Sequence, residues 1–185
     1  MKNAGAKALS CCVVTIAFLA GVTGSHAERF SATFPGPSSE LASPDGRMRV
    51  VNHDPEGSDG KHSLLLEEGA SPQEKVHHEY GRHVSVAWSP SSKYLTITDY
   101  AESTDATCFL YDVQSGTKVD LGREAERSSK AIAHLMGNEH AYFACARWLS
   151  PSRILIKVSA WGCNASSGKD EVFEYTIGNG FKLLK

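Results

Sequence analysis

Apolar and polar residues alternate through several short stretches of the chain. In the clearest stretch, Val84, Val86 and Trp88 fall on one face and the residues between them on the other. A period of two, with β-branched and aromatic residues on one face, predicts a half-buried β-strand. The same alternation at 29–34 and 141–148 predicts two further strands of this kind.

Each of these strands is followed by the same series of predicted elements. A proline-containing turn leads to a second strand, a polar loop, a third strand, a glycine turn and a last short strand. The repeat is marked by Arg47, Lys93 and Arg153, which lie five positions after Ala42, Trp88 and Trp148. A spacing in the forties, such as the 46 residues between the first two marks, is typical of a repeated supersecondary unit. We therefore predict one all-β domain, residues 28–185, of three four-stranded antiparallel units at about 28–81, 82–122 and 138–185.

The second spacing is 60 residues, and its 14 extra residues fall in the segment 123–137. Ala125, Ile132 and Leu135 recur there at near-helical spacing, and Gly137 is a natural helix stop. We predict one short amphipathic helix, inserted between the second and third units and laid on the sheet edge. A polar loop is the alternative.

The first residues resemble a targeting segment. Lys2 and Lys7 precede an apolar run at 8–23, and small residues stand at 25 and 27. This pattern is typical of a secretory signal peptide at 1–27, so we expect a periplasmic or secreted protein. A retained N-terminal anchor is the alternative. No later apolar run approaches the roughly 20 residues of a membrane helix, so no membrane span is expected after cleavage.

The net charge and the absence of common catalytic and phosphate-binding motifs reduce the number of candidate functions. Removal of 1–27 takes away two lysines and no acidic residue, so the formal net charge changes from −2 to −4. A chain without basic excess does not favour nucleic acid, and we expect a protein partner or self-association instead. The sequence contains no phosphate-binding glycine loop, no His-Glu-x-x-His and no Gly-x-Ser-x-Gly. We expect no cofactor and favour a non-catalytic protein over an enzyme.

The second unit carries a family likeness. The segment 86–97, VAWSPSSKYLTI, followed by 110–116, LYDVQSG, resembles the TolB-type and WD-like β-propeller repeat. The likeness covers most of 41–184 and is thinnest in the first unit, where Ala42 stands in place of the tryptophan. The resemblance implies blade-like units, but propellers close with about four to eight blades. Three units imply a partial propeller or a ring completed by a second chain, and a β-sandwich is the alternative fold.

The cysteines that remain after cleavage are Cys108, Cys145 and Cys163, which allow three pairings in an oxidising compartment. In the blade arrangement that the resemblance implies, Cys108 begins a third strand and Cys163 ends a second strand of the next unit. Both would lie on the same rim, which favours a Cys108–Cys163 disulfide. Cys145, in the middle of a strand, would then be a small core residue.

The polar loops 54–61, 101–107 and 162–169 are expected to line one rim. Trp161 interrupts the repeat pattern at a loop mouth, and an exposed tryptophan at a rim is often a binding anchor. The candidate binding residues are Trp161, Asp54, Asp59, Asp105 and Asn164. We predict an exported, non-catalytic binding module.

Two other functions remain as alternatives. One is a hydrolase with its site at the rim. The other is a metal-handling protein that uses His77, His78 and His83, since imidazole binds zinc or copper. Neighbouring residues of a strand point to opposite faces, so His77 and His78 cannot serve one site without a bulge. We therefore expect no metal site, with His77 and His83 as weak candidates.

Overall fold

A computed structural model describes residues 29–54, 61–69, 77–162 and 165–184. These residues are mostly in β-strands, with two short helices, and the strands form open sheets of mixed direction. The all-β prediction is confirmed at this level. The predicted signal peptide, 1–27, lies outside the described residues.

The first sheet is antiparallel and follows chain order. Its strands are β2 (Glu40–Ala42), β3 (Met48–His53), β4 (His62–Glu68) and β5 (His77–Tyr80). The turn between β2 and β3 forms because Ser43 Oγ accepts the amide of Met48 at 3.1 Å and donates to Asp45 at 2.7 Å. Gly46 supplies the positive φ of 70° that this turn requires.

The second sheet contains β6 (Val84–Trp88), β7 (Tyr94–Asp99), β8 (Asp105–Asp112) and β9 (Lys118–Asp120), paired antiparallel in that order. Its first turn repeats the turn of the first sheet, because Ser89 Oγ accepts the amide of Tyr94 at 3.0 Å. Ser92 stands where the first sheet has Gly46 and also has a positive φ, 59°. The repeated Ser-Pro segment therefore encodes one turn geometry.

The strand β1 (Ser31–Phe34) lies in a different sheet from the one that the sequence predicted. The sequence places 29–34 at the start of the first unit, but β1 pairs with β6 of the second sheet, with Ala32 opposite Val86. Phe34 is fully buried between the first two sheets, so this edge of β6 offers the segment both backbone partners and an apolar site. The strand β2 takes the place that was assigned to 29–34.

The third sheet contains β10 (His140–Ser150), β11 (Arg153–Gly162), β12 (Ala165–Thr176) and β13 (Gly180–Leu184), again antiparallel in chain order. It joins the second sheet where β10 runs parallel to β8, with Ala141 opposite Asp105. Within the described ranges the chain thus forms three antiparallel groups of four strands, and β1 extends the second group.

The insert forms two helices where one was predicted, α1 (Leu121–Ser128) and α2 (Lys130–Met136). The break is at Ser129, whose extended backbone ends α1 and whose Oγ accepts the Ile132 amide to begin α2. The helices lie on a face of the third sheet and not on an edge. Their buried residues are Leu121, Ala125, Ile132 and Leu135, which share a core with β11 and β12.

The disulfide also differs from the prediction. Cys108 bonds to Cys145, with the two Cα atoms 5.8 Å apart, and not to Cys163, which lies outside the described residues. The cause is the parallel pairing of β8 with β10, in which Ala106 lies opposite Tyr142. Cys108 is two residues beyond Ala106 and Cys145 is three residues beyond Tyr142, so the two cysteines lie at the same level of the sheet. Closing a loop of 37 residues contributes about 4 kcal/mol of stability in the loop-entropy account.

Consecutive sheets meet through the two repeat tryptophans. Trp88 Nε1 donates to the carbonyl of Leu41, and Trp148 Nε1 donates to the carbonyl of Ala87, each at 3.2 Å. The acceptor Leu41 directly precedes Ala42, the equivalent of Trp88 in the first unit. The acceptor Ala87 directly precedes Trp88, the equivalent of Trp148 in the second unit. The two tryptophans therefore make equivalent hydrogen bonds, with Trp88 buried and Trp148 half-buried.

In the second and third sheets, a row of three residues across the first three strands faces the preceding sheet. The rows are Trp88–Leu95–Tyr111 in the second sheet and Trp148–Ile154–Tyr175 in the third. In the first sheet the same row reads Ala42–Arg49–Glu67, and Arg49 pairs with Glu67 at 2.8 Å. A polar outer face of this kind terminates a stack of repeats.

We expect the mature protein to be a monomer, because the row that would receive another unit is polar. Substituting Ala42→Trp, Arg49→Leu and Glu67→Tyr recreates the apolar row and should cause concentration-dependent self-association in light scattering. The control Arg123→Leu, Glu126→Tyr and Arg127→Trp places the same side chains on α1 and should remain monomeric. A stable wild-type dimer at low micromolar concentration would contradict this prediction.

Candidate functional site

The third sheet extends beyond the second at one end. Its strands β11 and β12 have 10 and 12 residues, whereas their equivalents β7 and β8 have six and eight. Val158 and Ala160 of the extension are buried on the side of the helices, in one core with Ile132 and Leu135. The insert therefore covers one face of this extension, and the opposite face stays open.

Three aromatic rings form a stack on the open face. The Trp161 ring lies 5.5 Å from the His140 ring and 5.0 Å from the Tyr142 ring, with interplanar angles of 14° and 20°. We call His140, Tyr142 and Trp161 the rim platform. Trp161 remains 41% exposed, and its indole N–H makes no hydrogen bond with a described residue.

Strand register builds the rim platform. His140 pairs directly with Trp161, and Tyr142, two residues along β10, points to the same face. The preceding loop supports the platform, since the Tyr142 hydroxyl donates to the Ser103 carbonyl and the Ala141 amide donates to the Thr104 carbonyl. Trp161 is thus held by rigid elements.

Glycine follows the tryptophan for a steric reason. Gly162 has a φ of 132°, and a Cβ there would lie 2.9 Å from the Cβ of Glu139. Only glycine allows the start of β10 to approach the end of β11 so closely. This approach brings His140 within stacking distance of Trp161.

A second polar cluster lies between the first and second sheets, and we call it the buried cluster because His78 and Tyr111 are enclosed, although Lys118 at its edge is exposed. His78 Nε2 lies 2.9 Å from Asp99, and its Nδ1 lies 3.0 Å from the Tyr111 hydroxyl and 3.3 Å from Lys118 Nζ. Because an ammonium group can only donate, Nδ1 is the acceptor and Nε2–H donates to Asp99. Lys118 Nζ also lies 4.0 Å from the centre of the Phe109 ring, which is within cation–π range.

The buried cluster holds sheets together and does not resemble a reactive site. His78 is 4% exposed and Tyr111 is 2% exposed, so no substrate reaches either side chain. Burial raises the pKa of the Tyr111 hydroxyl and lowers the pKa of Lys118, the latter against the opposing effect of Asp99 and Asp120. A phenol with a raised pKa stays protonated and is a poor nucleophile at neutral pH.

Two of the three histidines that were considered as metal ligands, His78 and His83, contact different partners. His78 is committed to Asp99, and His83 stacks on Tyr100 with ring centres 4.5 Å apart. The side chain of His77 lies outside the described residues. Over 29–54, 61–69, 77–162 and 165–184, no group of three His, Cys, Asp or Glu residues is placed to hold a metal ion.

The structure brings some of the candidate rim residues together. Trp161 belongs to the rim platform, and Asp105 begins β8 opposite Ala141, next to that platform. Asp54 lies instead on the first sheet, where it contacts His62 Nδ1 at 2.5 Å and the Asn52 amide at 3.0 Å. Asp59 and Asn164 lie outside the described residues.

Sequence reasoning missed most partners of these sites. His140 and Tyr142 carried no signal of their own, because their role depends on the register of β10 with β11. The buried cluster was missed because His78 is separated from Lys118 by 40 residues. A signal exists only for Asp99, an acidic residue that ends a strand whose other residues are uncharged.

The comparisons with known proteins do not show a family. No family model and no curated protein matches the sequence. Among solved structures, the chain is similar to TolB from Acinetobacter baumannii, with 13% identity and a TM-score of 0.43 over 80% of this chain. The chain spans about a third of that structure, 32% of its length. Neither described helix is long and apolar enough to cross a membrane.

We expect His78→Ala to lower the free energy of unfolding by about 2 to 5 kcal/mol, because it removes a buried imidazole and leaves the largely buried Asp99 without its hydrogen-bond donor. Urea denaturation of the mature protein measures this difference. The control His83→Ala removes a half-buried imidazole that stacks on Tyr100 and should cost less than about 1 kcal/mol. Equal losses in the two variants would refute the role of the cluster.

Stability should fall above pH 10. Burial, and to a lesser extent Glu124, raises the pKa of Tyr175 to about 12. Tyr80 and Tyr111 shift in the same direction, mainly through burial. Between pH 10 and 12 the unfolded phenols ionise and the folded ones do not, so stability present below pH 10 is lost as the pH rises. Tyr175→Phe should make the decline of Tm with pH shallower, and an unchanged slope would contradict the assignment.

Proposed function

We propose that the protein is an exported, non-catalytic binding module that holds a protein partner at the rim platform. The exposure of Trp161 on a rigid support is the observation that carries the proposal. A large aromatic side chain that is already ordered loses little entropy on binding, and such residues dominate the energetics of protein interfaces. The indole N–H is available to an acceptor on the partner.

The fold that we propose for this module is a partial β-propeller of three blades. The repeated contact between each tryptophan and the carbonyl of the preceding sheet supports it, since both junctions use one geometry. The polar row of the first sheet and the charged outer face of the third sheet supply the two ends of the stack. A second chain is not needed to complete it.

Export is supported by two independent features. Residues 1–27 have the pattern of a secretory signal peptide. The Cys108–Cys145 disulfide is typical of proteins that fold in an oxidising compartment. We therefore place the module in the periplasm or outside the cell.

Trp161→Ala should weaken capture of the partner by about thirtyfold, the equivalent of a loss of about 2 kcal/mol. The measurement is quantitative co-purification with the tagged mature protein from cells that naturally produce it. Leu183→Ala is the matched control, because Leu183 is 44% exposed but lies on β13. Both variants should keep the wild-type Tm. Undiminished capture by Trp161→Ala, or equal loss with Leu183→Ala, would rule the platform out.

A further inference from the structure

We propose that the partner presents an extended, acidic polypeptide segment, which lies on the outer face of the third sheet and ends at the rim platform. The inference rests on the proposed function and specifies the chemistry of the partner. The outer face is the face turned away from α1, α2 and the second sheet.

The outer face is more basic than the chain as a whole. Among the described residues it carries four cations and two anions, whereas the complete sequence has a formal net charge of −2. The cations are Arg147, Arg153, Lys157 and Lys182, and the anions are Asp170 and Glu174. Cations that outnumber anions on an acidic protein favour an anionic partner at this face.

Two of these cations are uncommitted within the described part of the chain. Arg153 pairs with Glu174 at 3.4 Å, and Lys157 pairs with Asp170 at 2.9 Å. Arg147 and Lys182 are exposed and form no ion pair with a described residue. A partner carboxylate can therefore bind them without displacing an existing pair.

The cations follow the strand direction away from the platform. Lys157 is four residues from Trp161 on β11, and Arg147 lies opposite Leu155, six residues from Trp161. A strand rises about 3.3 Å per residue, so the distances are about 13 and 20 Å. An extended segment has the same rise, so it can place a carboxylate beside the uncommitted Arg147 while its end reaches Trp161, and it passes Lys157, which is paired with Asp170, on the way.

A groove borders the outer face beside this line of cations, between β10 and the β1–β6 edge of the second sheet. Its volume is about 560 Å³, and among the described residues Lys157 is its only charged lining residue. Small side chains form most of its walls: Ser31, Thr33, Ser85, Ala87, Ala144 and Ala146. Small side chains in the walls allow a polypeptide backbone to approach closely, and the positive charge of Lys157 favours a carboxylate over a cation at this groove.

Nucleic acid fits the face less well than an acidic polypeptide. Double-stranded DNA carries one charge per roughly 1.7 Å, far denser than Lys157 and Arg147, which lie about 7 Å apart along the strand direction. The rings of the rim platform are already stacked on one another, and the net charge of the whole chain is negative. The geometry therefore favours spaced carboxylates.

The test uses a fluorescein-labelled peptide of twelve glutamates and fluorescence anisotropy with the mature protein. We expect binding at 20 mM salt, a loss of about tenfold or more in Arg147→Glu/Lys182→Glu, and weakening at 200 mM salt. The control Arg127→Glu/Lys130→Glu makes the same charge change on exposed residues of α1 and α2 and should bind like wild type. A labelled single-stranded DNA of twelve nucleotides is the competing probe.

Three outcomes would overturn the inference: no binding of the glutamate peptide, equal losses in the two charge-reversed variants, or tighter binding of the DNA. The proposed function is tested separately by co-purification. If Trp161→Ala loses the natural partner and Arg147→Glu/Lys182→Glu retains it, the binding role of the rim platform is supported and the acidic character of the partner segment is rejected. If both variants retain the partner, the proposed function fails as well.

Discussion

One hydrogen bond, made twice, organises the stack of sheets. Trp88 buries its ring between two sheets, Trp148 buries part of its ring in the same way, and each donates the indole N–H to a backbone carbonyl of the preceding sheet. The ring supplies apolar burial, worth about 1.5 to 3 kcal/mol, and the bond satisfies both polar atoms. Because the acceptor occupies the same repeat position each time, the contact sets the same placement of one sheet on the next.

The same constraint explains where the stack ends. Where the second and third sheets carry a tryptophan, an aliphatic residue and a tyrosine in one row, the first sheet carries Ala42, Arg49 and Glu67. The third sheet presents charged residues on its outer face. Among the described residues, the exposed large aromatic side chain is Trp161, which lies on the extension of β11 and β12 that the helices cover on one face.

Parts of the site could be predicted from the sequence. Trp161 stood out because it interrupts the repeat pattern at a loop mouth, and the structure leaves it exposed. Its neighbours His140 and Tyr142 could not be predicted, because their position depends on the pairing of β10 with β11. The contact of His78 with Lys118 joins two sheets over 40 residues, a separation at which side-chain pattern carries no information.

The sequence by itself determined the strands, the repeated Ser-Pro turn and the equivalence of the two tryptophans, since period two and turn chemistry are local properties. Only the tertiary structure decided that β1 pairs with β6, that Cys108 bonds to Cys145, and that the insert breaks at Ser129. The physical reason is that alternation specifies which face of a strand is buried. The backbone groups along its edge are the same in every strand, so the neighbour is selected by packing across the whole fold.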